Sequence, residues 1–597
     1  KMLLDGAPLV INACDAGREG ELIFRWICQL AGYTGPVQRL WISSLTPQAI
    51  RQGFTQLRGG AEYDNLGHAA RCRAQGDWLV GINATRAFTV KHRELLSVGR
   101  VQTPTLAMLV AREREIQDFQ PQDYWVVTAE FCSAAGVYQG RWFRDKENRV
   151  WSWDDAQAIR DKVQGRLGIV ASVQEKQRRE PPPLLWDLTS LQREANRRWG
   201  FSAARTLNSA QKLYERHKLI TYPRTNSRYL TPDIIASLPL RLEALAQGGY
   251  GEYTTALLPQ PPRLGGRVIN APRVRDHHAI IPTERGSDGL PGNEAKIYDL
   301  VARRFLAVFY PECVWQETRV VTQVEGEDFE SKGKILVGLG WRQVEGAGSQ
   351  RILPALRLKE KVETGEVKIN QEETKPPARY TEGTLLAAME GAGKLVEEDE
   401  LREAMKDAGL GTPATRAAII ERLKQVEYIE LQGKALVATA KGQQLIGLAT
   451  MPALVSPELT GNWEKRLAEM EMGREDPAAF MADVTELART LVAEVASSKG
   501  EKIVRAARAP LGRCPLCAGD VVEGKRAYGC GNWKPEAGGC KFAIWKTIAK
   551  KRITANQVRQ LLERGQTGKL KGFVSKAGKK FSAILILEEG RVQFKFD

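Results

Sequence analysis

Apolar and polar positions divide this chain into blocks of different period. PLVINACD (8–15) is an apolar run of the length of a buried strand. ELIFRWICQLAG (21–32) repeats its apolar residues every three or four positions, which predicts a helix stopping at Gly32. Residues 60–118 keep the helical period, from HAARCRAQGDWLVGINATRAF to TLAMLVAREREIQDF. DYWVVTAEF (123–131) alternates as a half-buried strand does, and strand signals continue to about 175. EKQRREPPPLLW (175–186) reads as a proline-rich boundary, and a mostly helical stretch follows to about 310. Strands return over 314–370 with TRVVTQV and KILVGLGW, and KPPARYTEGTLLAAME opens a helical region reaching about 495. Strand-rich blocks thus bracket a helical one, so one β-domain interrupted by an inserted domain is expected. SSKGEK and RAARAPLGR form a linker to the last hundred residues.

Composition narrows the class. A chain of 597 residues holds several domains, and 43% hydrophobic residues can build their cores. No run of 18 apolar residues occurs and no signal peptide is visible, so no membrane span and no membrane partner are expected. Nine cysteines over this length make no disulfide scaffold, and four of them cluster late, which fits a cytoplasmic protein with one metal site. The net charge of +16 is uneven, because residues 501–597 carry 21 Lys and Arg against 8 Asp and Glu. Such a tail suits a polyanion. Trp533, Phe542, Trp545, Phe573 and Phe581 lie among those cations, as aromatics that stack on single-stranded bases do.

Several short stretches carry candidate chemistry. In LITYPRTNSRYL (219–230), Tyr222 stands beside Arg224 and Arg228. A tyrosine after an apolar pair is usually a core or rim residue, but a phenol flanked by guanidinium forks can attack a phosphodiester. DAGREGE (15–21) packs Asp15, Glu19 and Glu21 at a strand end, either as oxygen ligands for Mg²⁺ or as a charged helix cap. SVGRVQTPT (97–105) surrounds Arg100 and Gln102 with Gly99 and Pro104, and could cradle a phosphate backbone or simply precede a helix. RDHHAIIPTE (275–284) holds two of the five histidines, beside Arg275 and Asp276, and a histidine can donate to a scissile phosphate. In GLGTPATRAAIIERL (409–423), Thr412 and Thr415 either bond phosphates at a helix start or cap it. Cys514, Cys517, Cys530 and Cys540 are spaced C-x2-C-x12-C-x9-C, which suits a closed, structural Zn²⁺ site. EGAGKLV (390–396) is no phosphate loop, since Ala388 stands where the first glycine belongs and Leu395 follows the lysine, so the chemistry should not need ATP.

In this order, the motifs DAGREGELIFR, SVGRVQTPTLAMLVARERE, LITYPRTNS, DHHAIIPT, PPARYTEGTLLAAME, GLGTPATRAAIIERL and SPELTGNWEKRL resemble those of the type IA DNA topoisomerases, most closely the bacterial topoisomerase III branch. The resemblance covers nearly the whole chain. It implies a multidomain α/β plus α+β protein with a toroidal core, made of a Rossmann-like Toprim domain, helical domains and a β-rich hinge arch, and ending in a zinc-ribbon-like domain. The implied boundaries are 1–55 for the C-terminal part of Toprim, 56–120 and 373–497 for a helical DNA-binding domain, 121–183 and 313–372 for the hinge, 184–312 for the tyrosine domain, and 498–597 for the basic zinc-ribbon module. The implied activity is that of an isomerase needing Mg²⁺: Tyr222 cuts one strand and joins its 5′ phosphate, another strand passes, and the break is resealed. Negative supercoils are relaxed and DNA is decatenated.

Carried over by position, Arg224 stabilises the phosphate, His277 contacts it, and Asp15 and Glu19 are the Toprim acidic residues, with Glu19 catalytic. Arg73, Ser97, Val98, Gly99, Arg100, Val101, Gln102, Thr412 and Thr415 are DNA contacts. Asp15, Glu19 and Glu21 are candidate Mg²⁺ ligands, and the four cysteines bind Zn²⁺. Single-stranded and negatively supercoiled DNA are the expected partners of a monomer, with a helicase as a candidate partner. The family pattern Asp-x-Asp-x-Glu is broken by Gly17. The Toprim strand bearing a catalytic glutamate and a lysine also has no counterpart in the fourteen residues before Asp15, so a fragment is expected. The alternative reading is a non-catalytic single-stranded nucleic-acid-binding relative. A Toprim nuclease or primase would have no need of Tyr222.

Overall fold

The strand expected at 8–15 is short. Val10–Asn12 (β1) pairs in parallel with Val37–Arg39 (β2), and β2 pairs antiparallel with Arg58–Gly59 (β3). The acidic turn leaves the end of β1 and enters the helix Arg18–Ala31, which stops where Gly32 adopts the left-handed φ of 73° and its amide closes on the carbonyls of Cys28 and Gln29. The computed structural model describes every residue but 1–2, 260–262, 275, 288, 406–408, 450, 502, 504–509, 525, 534–538, 576 and 597. Arg275 and residues 502 and 505–509 of the expected linker therefore lie outside the described residues. The chain divides into two units, Lys1–Ile503 and Val504–Asp597.

Within the first unit, six strands close a barrel. They are Asp123–Ser133 (β4), Gly136–Phe143 (β5), Leu167–Glu180 (β6), Cys313–Val324 (β7), Glu327–Gly338 (β8) and Lys361–Glu373 (β9), in the spatial order β4-β5-β8-β7-β6-β9. Alternation puts Val127, Ala129, Phe131, Val170, Val320 and Phe329 in a shared core, and closure leaves no open edge. The chain leaves after β6 and returns in β7. The boundary expected at 175–186 falls later than the sequence pattern placed it. β6 runs on through EKQRRE to Glu180, which pairs with Cys313, because only the three prolines that follow lack the amide a ladder needs. The intervening segment builds its own core around Leu213, Ile220, Leu242 and Phe305.

The helices Asp64–His92 and Gln102–Gln117 share a third core with Glu382–Glu390, Pro413–Gln425, Glu458–Glu471 and Pro477–Ser497, through residues such as Val80, Leu106, Leu386, Ile420, Leu467 and Leu491. The expected helical run to 495 is interrupted by the hairpin Ile429–Gln432/Ala435–Ala438, where Gly433 takes a φ of 62° in the turn.

The second unit pairs a four-stranded sheet, Gly512–Arg513, Asp520–Glu523, Ala527–Cys530 and Ala543–Trp545, with the helix Ala555–Arg564 and a three-stranded sheet over Leu570–Lys595. Phe542 and Phe573 are buried in its core and cannot stack on bases, whereas Trp533 and Trp545 are exposed. Among the described residues, no helix is long and apolar enough to cross a membrane.

Candidate active site

Leu219 and Ile220 are core residues, as their type demands, and they fix the backbone on which Tyr222 stands. The Thr221 amide donates to the Ile281 carbonyl (2.9 Å) and its hydroxyl to the Ala279 carbonyl (3.1 Å). This lays the tyrosine stretch along AIIPT. The Tyr222 ring lies 4.4 Å from that of His277, centre to centre, and meets Tyr214 edge-on at 5.4 Å. His277 Nε2 lies 3.4 Å from an Asp15 carboxylate oxygen. Three motifs separated by up to 262 positions thus meet at one point. Arg224 is exposed and donates to Gln211 Oε1 (2.9 Å), while Arg228 donates to the Leu185 carbonyl (3.1 Å).

Electrostatics separate the groups. The contact with His277 is the largest influence on Asp15 and holds its carboxyl below the usual range despite desolvation, with Arg39 assisting. Burial and the Asp15 charge push the Tyr222 phenol upward, against the pull of Arg224. Tyr222 is therefore a neutral phenol near pH 7, and its proton must leave as it attacks.

Arg39, buried beneath the acidic turn, shapes it. Its guanidinium donates to the carbonyls of Asn12 (2.9 Å), Cys14 (2.8 Å) and Asp15 (2.6 Å). It also lies 3.3 Å from Glu21, which Asn12 (2.9 Å) and Arg25 (2.8 Å) engage as well. Glu21 is consequently a buried structural anion. The expectation that it joins Asp15 and Glu19 as a Mg²⁺ ligand is corrected, since its position at the start of the helix turns it inward. Asp15 and Glu19 remain exposed, and Glu19 is paired with Arg73 at 3.0 Å. Two accessible carboxylates fit Mg²⁺, which keeps most of its waters.

Ser97, Val98 and Arg100 are buried. Arg100 forks onto Asp77 (2.7 and 3.2 Å), lies over Trp463 and approaches Glu464 at 3.6 Å. Its guanidinium is thus committed to the fold, contrary to its reading as a DNA contact. Gly99, Val101 and Gln102 are partly exposed, with Gln102 donating to the Ser97 carbonyl (3.1 Å). Thr412 and Thr415 form a capping box on Pro413–Gln425, so the helix start already uses the hydroxyls assigned to phosphates. Sequence reading passed over Glu464 within SPELTGNWEKRL. It is mostly covered, and desolvation would raise its pKa, yet Arg73, Arg100 and Arg18 hold the carboxyl below its usual range.

Gly17 has a reason in space. A Cβ there would lie 2.8 Å from the Asp276 carboxylate. Gly17→Asp, which restores the family spelling, is therefore expected to displace Asp276 and its neighbour His277. Adduct formation should fall about 100-fold, the scale of an ångström's misplacement of reacting groups. A mutant that cleaves as well as the parent across a Mg²⁺ titration would refute this.

His278, next to His277, is fully buried and donates from Nδ1 to the Ala279 carbonyl (2.8 Å), and burial lowers its pKa from 6.5 to about 4. Below pH 6.5 the unfolded chain takes up a proton that the folded chain refuses. Stability should therefore drop between pH 6.5 and 4, by about 3 kcal/mol in all. Denaturant melts across that range should show the slope in the parent and not in His278→Gln.

In the second unit the four cysteine sulfurs all lie within 4.8 Å of one another, with Cys514 to Cys540 at 3.5 Å and Cys517 to Cys530 at 3.3 Å. Four such thiols fit tetrahedral Zn²⁺ and leave no open position for catalysis.

Residues 61–482 match the family described as DNA topoisomerase, and residues 539–597 match the C-terminal repeat of topoisomerase. DNA topoisomerase 3 of Bacillus subtilis (strain 168) is 40% identical over 561 residues, covering 91% of this chain and 76% of that protein. DNA topoisomerase 3 of Shouchella clausii is 43% identical over 499 residues, covering 81% and 68% respectively. Full-length topoisomerase I from Thermotoga maritima superposes with a TM-score of 0.65 at 25% identity, over 89% of this chain and 86% of that one.

Proposed function

The chain belongs to the type IA DNA topoisomerases and has their fold, and we propose from that premise how its residues perform the reaction. It is an ATP-independent isomerase that cuts one DNA strand, passes another and reseals the break, relaxing negative supercoils and decatenating DNA. The observation carrying the residue roles is the convergence of Tyr222, His277 and Asp15, with the two rings 4.4 Å apart and His277 Nε2 3.4 Å from the Asp15 carboxylate.

In the proposed course, a scissile phosphate enters between the phenol and the acidic turn. Tyr222 Oη attacks phosphorus, the bond from phosphorus to the 3′ oxygen breaks, and the phenolic proton is passed on to that oxygen. His277, held by Asp15, donates to a non-bridging oxygen as negative charge builds, and Arg224 swings from Gln211 to add a second donor. Asp15 and Glu19 are the residues that would hold Mg²⁺, which neutralises charge around the 3′ end when bound. The phosphotyrosine bond conserves the energy of the cut, so religation is the reverse step and no nucleotide is consumed. The partly exposed residues of the 97–102 loop, together with Arg73, Thr412 and Thr415, line the approach of the single strand. Arg100 and the threonine caps act there by holding backbone in place. A monomer suffices, and a helicase would supply single-stranded stretches in duplex DNA.

The test is a single-stranded oligonucleotide labelled at either end, incubated with Mg²⁺ and quenched in denaturant. Protein attached to the fragment on the 3′ side of the break, through its 5′ phosphate, is the expected result. Attachment to a 3′ phosphate, or binding without any adduct, would overturn the assignment.

A further inference from the structure

A cavity of about 460 Å³ opens beside Tyr222, and the phenol ring is part of its wall. Tyr214, Ile220 and Leu240 continue that wall, and Leu45, Thr46 and Arg51 complete it from the stretch after β2. The Asp233 and Glu284 carboxylates and the Arg241 guanidinium that line it are already engaged. Asp233 accepts from the hydroxyls of Ser44 (2.6 Å) and Thr46 (2.7 Å), and Arg241 pairs with Glu284 at 2.5 Å. Much of what remains is apolar and aromatic, and Leu45 and Leu240 are left 56% and 55% exposed. Two exposed cations, Arg51 and Lys218, also line the cavity. Its volume is in the range that takes a flat heterocycle rather than water alone.

We propose that this cavity receives the base of the nucleotide whose 5′ phosphate Tyr222 captures, an inference that rests on the cleavage reading above. Most of the lining belongs to the segment carrying Tyr222, so a base seated here stays with the covalent half of the broken strand. Every base has an apolar face for the leucines and tyrosines, and Arg51 and Lys218 offer charge to the neighbouring phosphates. Seating the base sets the scissile phosphate in register with the phenol, and the shape of the cavity becomes a source of cleavage-site preference.

The experiment uses an oligonucleotide with a mapped break. An abasic residue is placed immediately on the 3′ side of that break or, as a control, three positions further on. Adduct yield should fall about tenfold for the first placement, the usual worth of one stacked base, and much less for the control. Leu240→Trp, which fills the cavity from an exposed position, should lower the yield from the intact oligonucleotide by a similar factor. In that variant the abasic residue should cost nothing more. Equal losses for the two placements, or losses that multiply in the variant, would overturn the proposal. If the variant does not fold, the two placements on the parent protein decide alone. Absence of any adduct on the intact oligonucleotide would instead strike the cleavage reading itself.

Discussion

Tyr222→Phe is expected to abolish the covalent adduct and supercoil relaxation, by about 10⁴-fold or more, because the change removes the oxygen that attacks phosphorus. Affinity for single-stranded DNA should stay within about twofold, since the change removes one oxygen and no charge. The ring contacts with His277 and Tyr214 survive the substitution, so the fold should too. A gel of denatured reaction mixtures and a filter-binding titration read the two quantities separately. Residual adduct in the variant would move the nucleophile elsewhere, and Tyr214, its edge-on neighbour, would be the next residue to replace. Loss of both cleavage and binding would point to a structural tyrosine and return the chain to the binding-only reading.

The second large effect concerns the cysteines. Cys514 and Cys530 are part of the core of Val504–Asp597, a unit whose described residues form three small sheets and one helix. Structural zinc in a module of this kind contributes about 10–16 kcal/mol at neutral pH. Purified protein is expected to carry one zinc per chain. Chelation, or Cys517→Ser, should unfold that unit while Lys1–Ile503 stays folded. Hydrogen exchange resolves the two units, and metal analysis gives the stoichiometry. Cleavage of a short oligonucleotide should persist, because Tyr222, His277 and Asp15 belong to the first unit. Binding of long single strands should weaken and lose part of its salt dependence, because the basic unit no longer presents an ordered surface. A metal-free protein with the second unit intact would refute the site.

Local pattern was enough to read several elements. The period of ELIFRWICQLAG and the glycine after it gave a helix with its stop, and the alternation of DYWVVTAEF gave a barrel strand. EKQRRE was counted into the proline-rich boundary that follows it, whereas a ladder needs only amides and carbonyls and can carry solvated side chains on its exposed face. The hairpin at 429–438 was hidden by its length, since four-residue strands carry too few alternations to outweigh the helices around them. Phe542 and Phe573 show the same limit. An aromatic among lysines reads as a base platform until the fold turns it inward.

For the site, the sequence by itself determined the chemistry on offer: a tyrosine beside arginines, a histidine pair, an acidic turn and four spaced cysteines, in an order that marks the family. Those are matters of residue type and spacing, which the linear chain records. Only the tertiary structure decided which of these groups share a site. It brought Asp15 within 3.4 Å of His277, turned Glu21 onto Arg39 and sank Arg100 against Asp77. It also set Asp276 against Gly17, which explains a glycine that the sequence shows only as a departure. A carboxylate next to a strand end can bind a metal, cap a helix or balance a buried arginine. Which of these it does depends on burial and on the nearest opposite charge, and both are set by residues far away along the chain.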